Sequence, residues 1–406
     1  MKWEKVKLGG ICEFINGGAW SDKEYVTDGI PVLKVSNCKP SGFVVDDINY
    51  LPLSALKKYE KNKLCKYDVI IATVGSHPNL KDSAAGRSSI VNSLVEGFYL
   101  NQNAVCIRTL NESILNQRYV GYLSKYYPFQ HFIQMRGRGA ANQMRIAIGA
   151  IKEYEFLLPP LETQKCIADI LSAYDDLIEN HQKQIKLLEE AAQRLYKEWF
   201  VDLHFPGYEN TKIVDGVPEG WEHGLLGDII YESGKKEKRE NRKEYKYYLP
   251  IDSIPKESLG YTIWQNTDLA ESSLIGFLEG DIIFGAMRPY FHKVVVARDK
   301  GLTRSTCFVL NSKEIEYWAY IVMLMFSRDV VEYATQISVG TTMPYVRWKD
   351  LKQMEILIPQ KEKAEEFQGK IKSIIINIGK LSEKVIILQK SREYLLPRLM
   401  SGEIEV

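Results

Sequence analysis

Two heptad-patterned stretches constrain this chain more than anything else in it. Between residues 162 and 200, apolar or near-apolar residues stand at Ile167, Leu171, Tyr174, Ile178, His181, Ile185, Leu188, Ala192, Leu195 and Trp199, in unbroken steps of four and three. A 3.5-residue period keeps one seam of a helix facing a partner helix. No Pro or Gly lies inside the stretch, and a helix of this size is roughly 55 Å long, too long for the interior of one ordinary domain. A second seam runs through Ile371, Ile374, Ile378, Leu381, Val385, Leu388, Arg392, Leu395 and Leu399. Gly369 and Gly379 each weaken that helix by up to about 1 kcal/mol. The two seams predict an intrachain coiled coil, in preference to two helices each packed on its own globular domain.

The sequence before each seam is mixed and strand-rich. Short β-branched runs at residues 30–35, 68–74 and 104–107 are punctuated by Gly, Asn and Pro. Leu158-Pro159-Pro160-Leu161 closes the first segment and suits the start of a helix. Residues 201–216 have the composition of a linker, and a second mixed segment follows. The two halves repeat. Tyr67-Asp68-Val69-Ile70-Ile71 matches Gly280-Asp281-Ile282-Ile283-Phe284, and Asn103-Ala104-Val105-Cys106-Ile107 matches Ser305-Thr306-Cys307-Phe308-Val309. Residues 150–159 match 349–359 to within one position. The fold class expected is α+β: two mixed, strand-rich globular heads and two long antiparallel coiled-coil helices in a pseudo-two-fold internal repeat. If the ends of the second head lie close together, the heads sit at opposite ends of a rod.

Charge is balanced overall, 53 Lys and Arg against 52 Asp and Glu, so a nucleic-acid surface would have to be local. Residues 129–149 hold Arg136, Arg138 and Arg145 and no acid, and the run from Arg136 to Gln143 reads as an exposed loop. Guanidinium and amide groups there suit guanine and adenine edges, respectively. The candidate DNA-binding residues of the first head are Arg136, Arg138, Asn142, Gln143 and Arg145. Those of the second are Lys235, Arg239, Arg288, Tyr290, Thr342, Tyr345 and Arg347, drawn from a basic run at 235–246, from 288–293 and from an acid-free run at 334–349. His77 and the Gly17-Gly18-Ala19-Trp20 loop are weaker candidates. Trp199, Phe200 and Phe205 suit packing or partner docking.

Catalytic motifs are missing from the sequence. It has no phosphate-binding loop, no Asn/Asp-Pro-Pro-aromatic motif of an amino-methyltransferase and no Gly-rich cofactor loop after a strand. Six histidines and six cysteines are dispersed without metal-ligand spacing, and the cysteines read as reduced, mostly buried thiols. Asp68 and Asp281 lack the Glu-X-Lys partner of a nuclease and read as turn residues. No signal peptide is evident, and residues 317–326 form a core helix too short to span a bilayer. The expected location is cytoplasmic.

Three motifs carry a resemblance. They are Leu157-Leu158-Pro159-Pro160-Leu161-Glu162-Thr163-Gln164; Leu195-Tyr196-Lys197-Glu198-Trp199-Phe200-Val201-Asp202 with Phe205-Pro206-Gly207 and Val217-Pro218-Glu219-Gly220-Trp221; and Leu395-Leu396-Pro397-Arg398-Leu399-Met400-Ser401-Gly402-Glu403-Ile404. With the repeat, they make the whole chain resemble the specificity (S) subunits of Type I restriction–modification systems. The resemblance implies a first target recognition domain at residues 1–158, a spacer helix at 159–200 and a linker at 201–216. A second recognition domain at 217–359 is followed by a second spacer helix and tail at 360–406. It implies a non-catalytic subunit reading a bipartite, asymmetric site in double-stranded DNA, with the helices setting the gap and docking two adenine methyltransferase (M) subunits. A restriction and translocase (R) subunit joins them. S-adenosylmethionine and ATP belong to those partners and not to this chain, and no metal or membrane is implied. Two other classes compete: a stand-alone methyltransferase or nuclease, opposed by the missing motifs, and a coiled-coil scaffold with two protein-binding heads, opposed by the basic loops. The second helix start, Leu357-Ile358-Pro359-Gln360-Lys361, departs from the pattern by lacking the paired prolines.

Overall fold

The computed structural model describes residues 3–39, 42–45, 47–76, 84–140 and 143–406. The first heptad stretch is a helix over Leu161–Tyr196, continued by a wider π turn at Lys197–Val201. The second is a helix over Lys361–Ser401, which starts directly after Pro359-Gln360 despite its single proline. Every seam position of both helices is buried or half-buried. Apolar residues off the seam, such as Leu177 and Leu187, are instead 46% and 64% exposed. The period accounts for the seam, and off-seam residues are covered where the helix packs on a core, as at Ala168 and Ile375.

Buried polar groups fix the start of the first helix. Gln164 is fully buried, and its amide nitrogen donates to the carbonyls of Pro159 (2.9 Å) and Ile114 (3.0 Å). Its oxygen accepts from the Asn116 amide at 2.9 Å. At the far end of the second helix, Pro397 removes one backbone donor. Gly402, at φ +77°, then ends the turn.

The chain divides into two compact units, residues 1–175 with 390–406, and residues 176–389. In the first, a four-stranded antiparallel sheet runs Cys12–Asn16, Ala104–Thr109, Val69–Ala72, Ser88–Ile90. One face, with Val69, Ile71, Val105 and Ile107, packs on Tyr119, Phe129, Ile167, Leu171 and Leu399. The other, with Ile70 and Cys106, packs on Leu33, Val91 and Leu100. Burial on both faces explains why these strands read as continuous apolar runs. Near the end of the second long helix, the seam residue Arg392 pairs with Asp175, which also accepts from the Tyr122 hydroxyl at 2.7 Å.

The second unit repeats this plan. Its sheet runs Ile230–Glu232, Cys307–Ser312, Ile282–Gly285, Val294–Val296. Ile282, Phe284 and Leu310 face one core, and Ile283, Val295 and Val309 face another. Each head is closed by an antiparallel pair of its first and last strands: Glu4–Lys7 with Glu155–Leu158, and Glu222–Leu225 with Glu355–Ile358. Both open on the same short helix, Leu8–Ile11 and Leu226–Ile229. A Cβ at Gly9 would meet Lys152 at 2.7 Å, and one at Gly227 would meet Lys352 at 3.1 Å. The fold is thus α+β with an internal repeat and two long helices, and the helices are antiparallel. Phe367, early in the second, packs on Trp199 and Phe200 at the end of the first, with ring centroids 5.5 and 4.8 Å apart. The segment at 201–216 is folded: Phe205 is buried against Trp221 at 4.9 Å, and Ile213–Val214 pairs with Val217–Pro218. Trp199, Phe200 and Phe205 therefore serve packing.

One buried acid ties the first helix to the second head. Glu189 accepts from the Ser258 hydroxyl (2.7 Å) and the amides of Leu259 (2.8 Å) and Gly260 (3.4 Å). Burial raises its pKa, against the pull of those donors. A carboxyl raised by folding favours the fold below the ordinary Glu range and loses that contribution as pH climbs through its shifted pKa. Glu189→Gln keeps the acceptor and removes the charge. Urea unfolding is expected to find the variant at least as stable as the parent at pH 8, with the gap closing towards pH 5. A variant weakened equally at both pH values would mean that the carboxylate itself is needed.

Candidate nucleic-acid interface

In the first head the run from Arg136 to Gln143 is expected as a loop, but Arg138–Ala140 and Gln143 lie instead in paired strands. Strand Arg138–Ala140 pairs with Gln143–Arg145, which pairs in turn with Val74–Gly75. Arg138 stands directly opposite Arg145, and both are exposed. Like charges facing each other across a strand pair destabilise it by up to about 1 kcal/mol. Neither forms an ion pair among the described residues, so the arrangement suits an incoming anion. Arg136 stacks on the Phe132 ring, 3.4 Å from its centroid, and donates to the Phe132 carbonyl at 3.1 Å.

These three arginines line one open cavity of about 930 Å³ with Asn16, Thr73, Gln102 and Asn103. The lining gathers at one end of the sheet, where Cys12–Asn16 ends, Val69–Ala72 ends and Ala104–Thr109 begins. Charge pointed to the arginines; Asn16, Gln102 and Asn103 are uncharged and went unread. Asn103, at φ +71°, is a polar residue in the left-handed region, the one local hint it offers. Asn142 and His77 lie outside the described residues; Gln143 is placed only by its strand. The Gly17–Trp20 loop is structural at Trp20, which is buried, donates to the Tyr25 hydroxyl at 3.1 Å and packs on Tyr59.

The second head gathers a different set at the corresponding place. The Arg288 amide donates to the Pro344 carbonyl at 2.7 Å, and its guanidinium reaches the Thr342 carbonyl at 3.4 Å. Its Nε is shut off from solvent without a hydrogen-bond partner. Arg288 and His292, both left-handed at φ +52° and +49°, bracket a 3-10 turn that presents Tyr290, 49% exposed. Strain of this kind persists where the surroundings hold it. Here buried His292, its pKa lowered by burial, contacts the Phe326 carbonyl at 3.0 Å. Arg288, Thr342 and Tyr345 thus come together, with Tyr290 in the turn that follows Arg288. Arg347 is engaged by Asp350 at 2.5 Å. Lys235 and Arg239 belong to a separate part of the head: Lys235 is in a strand paired at Gly276, and Arg239 lies 3.8 Å from Glu271.

The repeat sets the two sites in register. The Ile146 amide donates to the Thr73 carbonyl at 2.8 Å, and the Val346 amide to the Ala286 carbonyl at 3.0 Å. Arg145 and Tyr345 are therefore equivalent. Through their pairings, so are Arg138 and Val339, and Val74 and Met287.

Comparison with known proteins agrees with this architecture. A family profile described as "Type I restriction modification DNA specificity domain" matches residues 1–190 and again 218–389. The chain belongs to the Type I restriction–modification specificity subunits. Members of this family are DNA-recognition subunits without catalysis of their own. The MjaIX specificity subunit of Methanocaldococcus jannaschii is 27% identical over 71% of this chain and 69% of that protein. The HindI specificity subunit of Haemophilus influenzae is 23% identical over 99% of both. The crystal structure of an S subunit from M. genitalium has the same fold, with a TM-score of 0.61 at 15% identity over 98% of this chain and 96% of that one.

Burial pushes the Cys12 thiol up to about 12 and those of Cys38 and Cys307 to about 11, which keeps them protonated and unreactive. Among the described residues no cluster of His, Cys, Asp and Glu is placed to hold a metal ion. No described helix is long and apolar enough to cross a membrane.

Proposed function

We propose that this subunit reads a bipartite, asymmetric site in double-stranded DNA, one half per head, and that the two long helices set the distance between the halves. It acts in the cytoplasm and docks two adenine methyltransferase (M) subunits, which a restriction and translocase (R) subunit joins. S-adenosylmethionine and ATP bind to those partners. One observation carries the reading: the same sheet end in both repeats presents exposed, cation-bearing surfaces whose equivalent positions differ in chemistry. Two copies of one scaffold with different recognition side chains are what an asymmetric target requires. In the first head the candidate contacts are Arg136, Arg138, Gln143 and Arg145, and from the sequence alone Asn142. In the second they are Arg288, Tyr290, Thr342 and Tyr345, with Arg347, Lys235 and Arg239 assigned to phosphates.

The test is a methylome. The chain is expressed with its methyltransferase partner in a host lacking adenine methylation, and the modified bases are sequenced. A split motif, methylated once in each half and lost without this chain, is the expected result. A motif that persists without it would move specificity to the partner and leave a scaffold. Removing four residues from the middle of the first long helix shortens it by about 6 Å and turns one end by more than a full turn. The methylated motif is then expected to change its spacer or disappear. An unchanged spacer would overturn the role given to the helices.

A further inference from the structure

We propose that the second head reads its half-site through the C5-methyl groups of thymine, using an apolar surface formed by Val339, Met343 and Tyr345 and edged by Arg288. This rests on the reading of both heads as DNA-recognition surfaces and names what one of them recognises. Where the first head sets Arg138 opposite Arg145, the second sets Val339 opposite Tyr345. Directly paired residues project to the same face of a strand pair, so the exchange replaces two guanidiniums by two apolar groups on one surface. Met287, paired with Tyr345 on its other side, extends that surface. Val339, Met343 and Tyr345 are 37%, 56% and 47% exposed. Val339 and Tyr345 face the same side of their bridge and Met343 is exposed in the turn between them, and an exposed apolar patch of this kind marks an interaction surface.

The charge around the patch selects the occupant. Residues 334–349 contain no acid. The Arg288 guanidinium, with Nε unpartnered, borders the patch through Thr342 and Pro344. The ligand must therefore be anionic yet offer small apolar groups at its surface. In the major groove, A·T pairs present the thymine methyl beside hydrogen-bonding edges and between phosphate rails. The arginine pair of the first head matches instead the acceptor edge of guanine, so the two halves of the target are told apart by opposite chemistries at one structural position.

The experiment uses the chain assembled with its methyltransferase partner, on the duplex defined by the methylome. Thymines are replaced by deoxyuracil, which lacks only the methyl group, in one half-site at a time. Uracil in one half is expected to weaken binding about four-fold per contacted methyl, the factor equivalent to about 0.8 kcal/mol for a buried methyl-sized group. In the double variant Val339→Ala, Tyr345→Ala, the thymine-to-uracil ratio is expected to fall to near one. Arg138→Ala with Arg145→Ala leaves that ratio unchanged. If the double variant does not assemble, Met343→Ala, at a side chain outside any strand, is read in the same way. The proposal is overturned if uracil has no effect in either half, if the ratio survives in the apolar variants, or if only the arginine variants abolish it. Equal binding of target and scrambled duplexes would overturn the DNA-recognition reading itself, a different and separately visible result.

Discussion

Replacing Phe367 by alanine is expected to destabilise the second unit by about 3–5 kcal/mol, the range for truncating a large buried aromatic. Phe367 is fully buried near the start of the second long helix. Its ring is 4.8 Å from Phe200, 5.5 Å from Trp199 and 6.5 Å from Tyr196. These partners close the first helix, so one side chain holds the antiparallel pair together where the chain turns towards the second head. The surrounding rings also contact Trp221 and Tyr320, which are fixed by the head, so the cavity left by the variant collapses poorly. Leu187→Ala, at an exposed off-seam position, is the matched control and should lie within about 0.5 kcal/mol of the parent. Urea unfolding followed by far-UV circular dichroism compares them. Equal effects of the two substitutions would mean that the helix pair is not held by its aromatic end.

The long helices and the repeat were legible because their signals need no context. A 3.5-residue period states which face is covered, and an Asp before a doubly buried strand reads the same in both halves. The candidate surfaces were half legible. Arg-Gly-Arg-Gly-Ala-Ala-Asn-Gln holds no β-branched or aromatic residue and reads as a loop. Arg138–Ala140 and Gln143–Arg145 pair as strands beside Val74–Gly75, which offers an edge, a tertiary cause that propensity does not carry. Positive charge points to Arg138 and Arg145, which the fold does bring opposite one another, but it cannot point to Val339 or Met287, which carry none and lie far apart in the chain. Part of the basic run at 235–246 is offset in the fold. Arg242 is 3.5 Å from Asp268 and Lys246 is 2.7 Å from Asp299, acids distant in sequence. A run of like charge says nothing of the acids that fold against it.

Asp68→Ala is expected to cost about 3 kcal/mol or more in the first unit, because it leaves a half-buried cation without its partner. Asp68 is 2% exposed. It makes the turn that sequence patterning predicts, accepting from the Cys65 amide at 2.7 Å, and it also holds Arg108 Nε and Nη2 at 2.7 and 2.6 Å. The second head keeps the turn and changes the partners. There Asp281 accepts from the Leu278 amide, the Ser233 hydroxyl and the Asn311 amide nitrogen, each at 2.8 Å. A buried carboxylate with three neutral donors and one with a bidentate guanidinium thus occupy equivalent places, so the requirement of the fold is an acceptor at the turn and not an ion pair. It follows that Asp68→Ala combined with Arg108→Met should recover the part of the loss that comes from the stranded cation and keep the part that comes from the missing turn acceptor, since removing both charges costs far less than stranding one. The pair anchors the start of Val69–Ala72, the strand that delivers Thr73 to the arginine-lined cavity, so the single variant should also weaken DNA binding through the first head. A double-mutant cycle by urea unfolding measures the coupling. Strictly additive losses would mean that Asp68 serves the turn alone and that Arg108 is held by the Lys63 carbonyl, which it reaches at 2.5 Å.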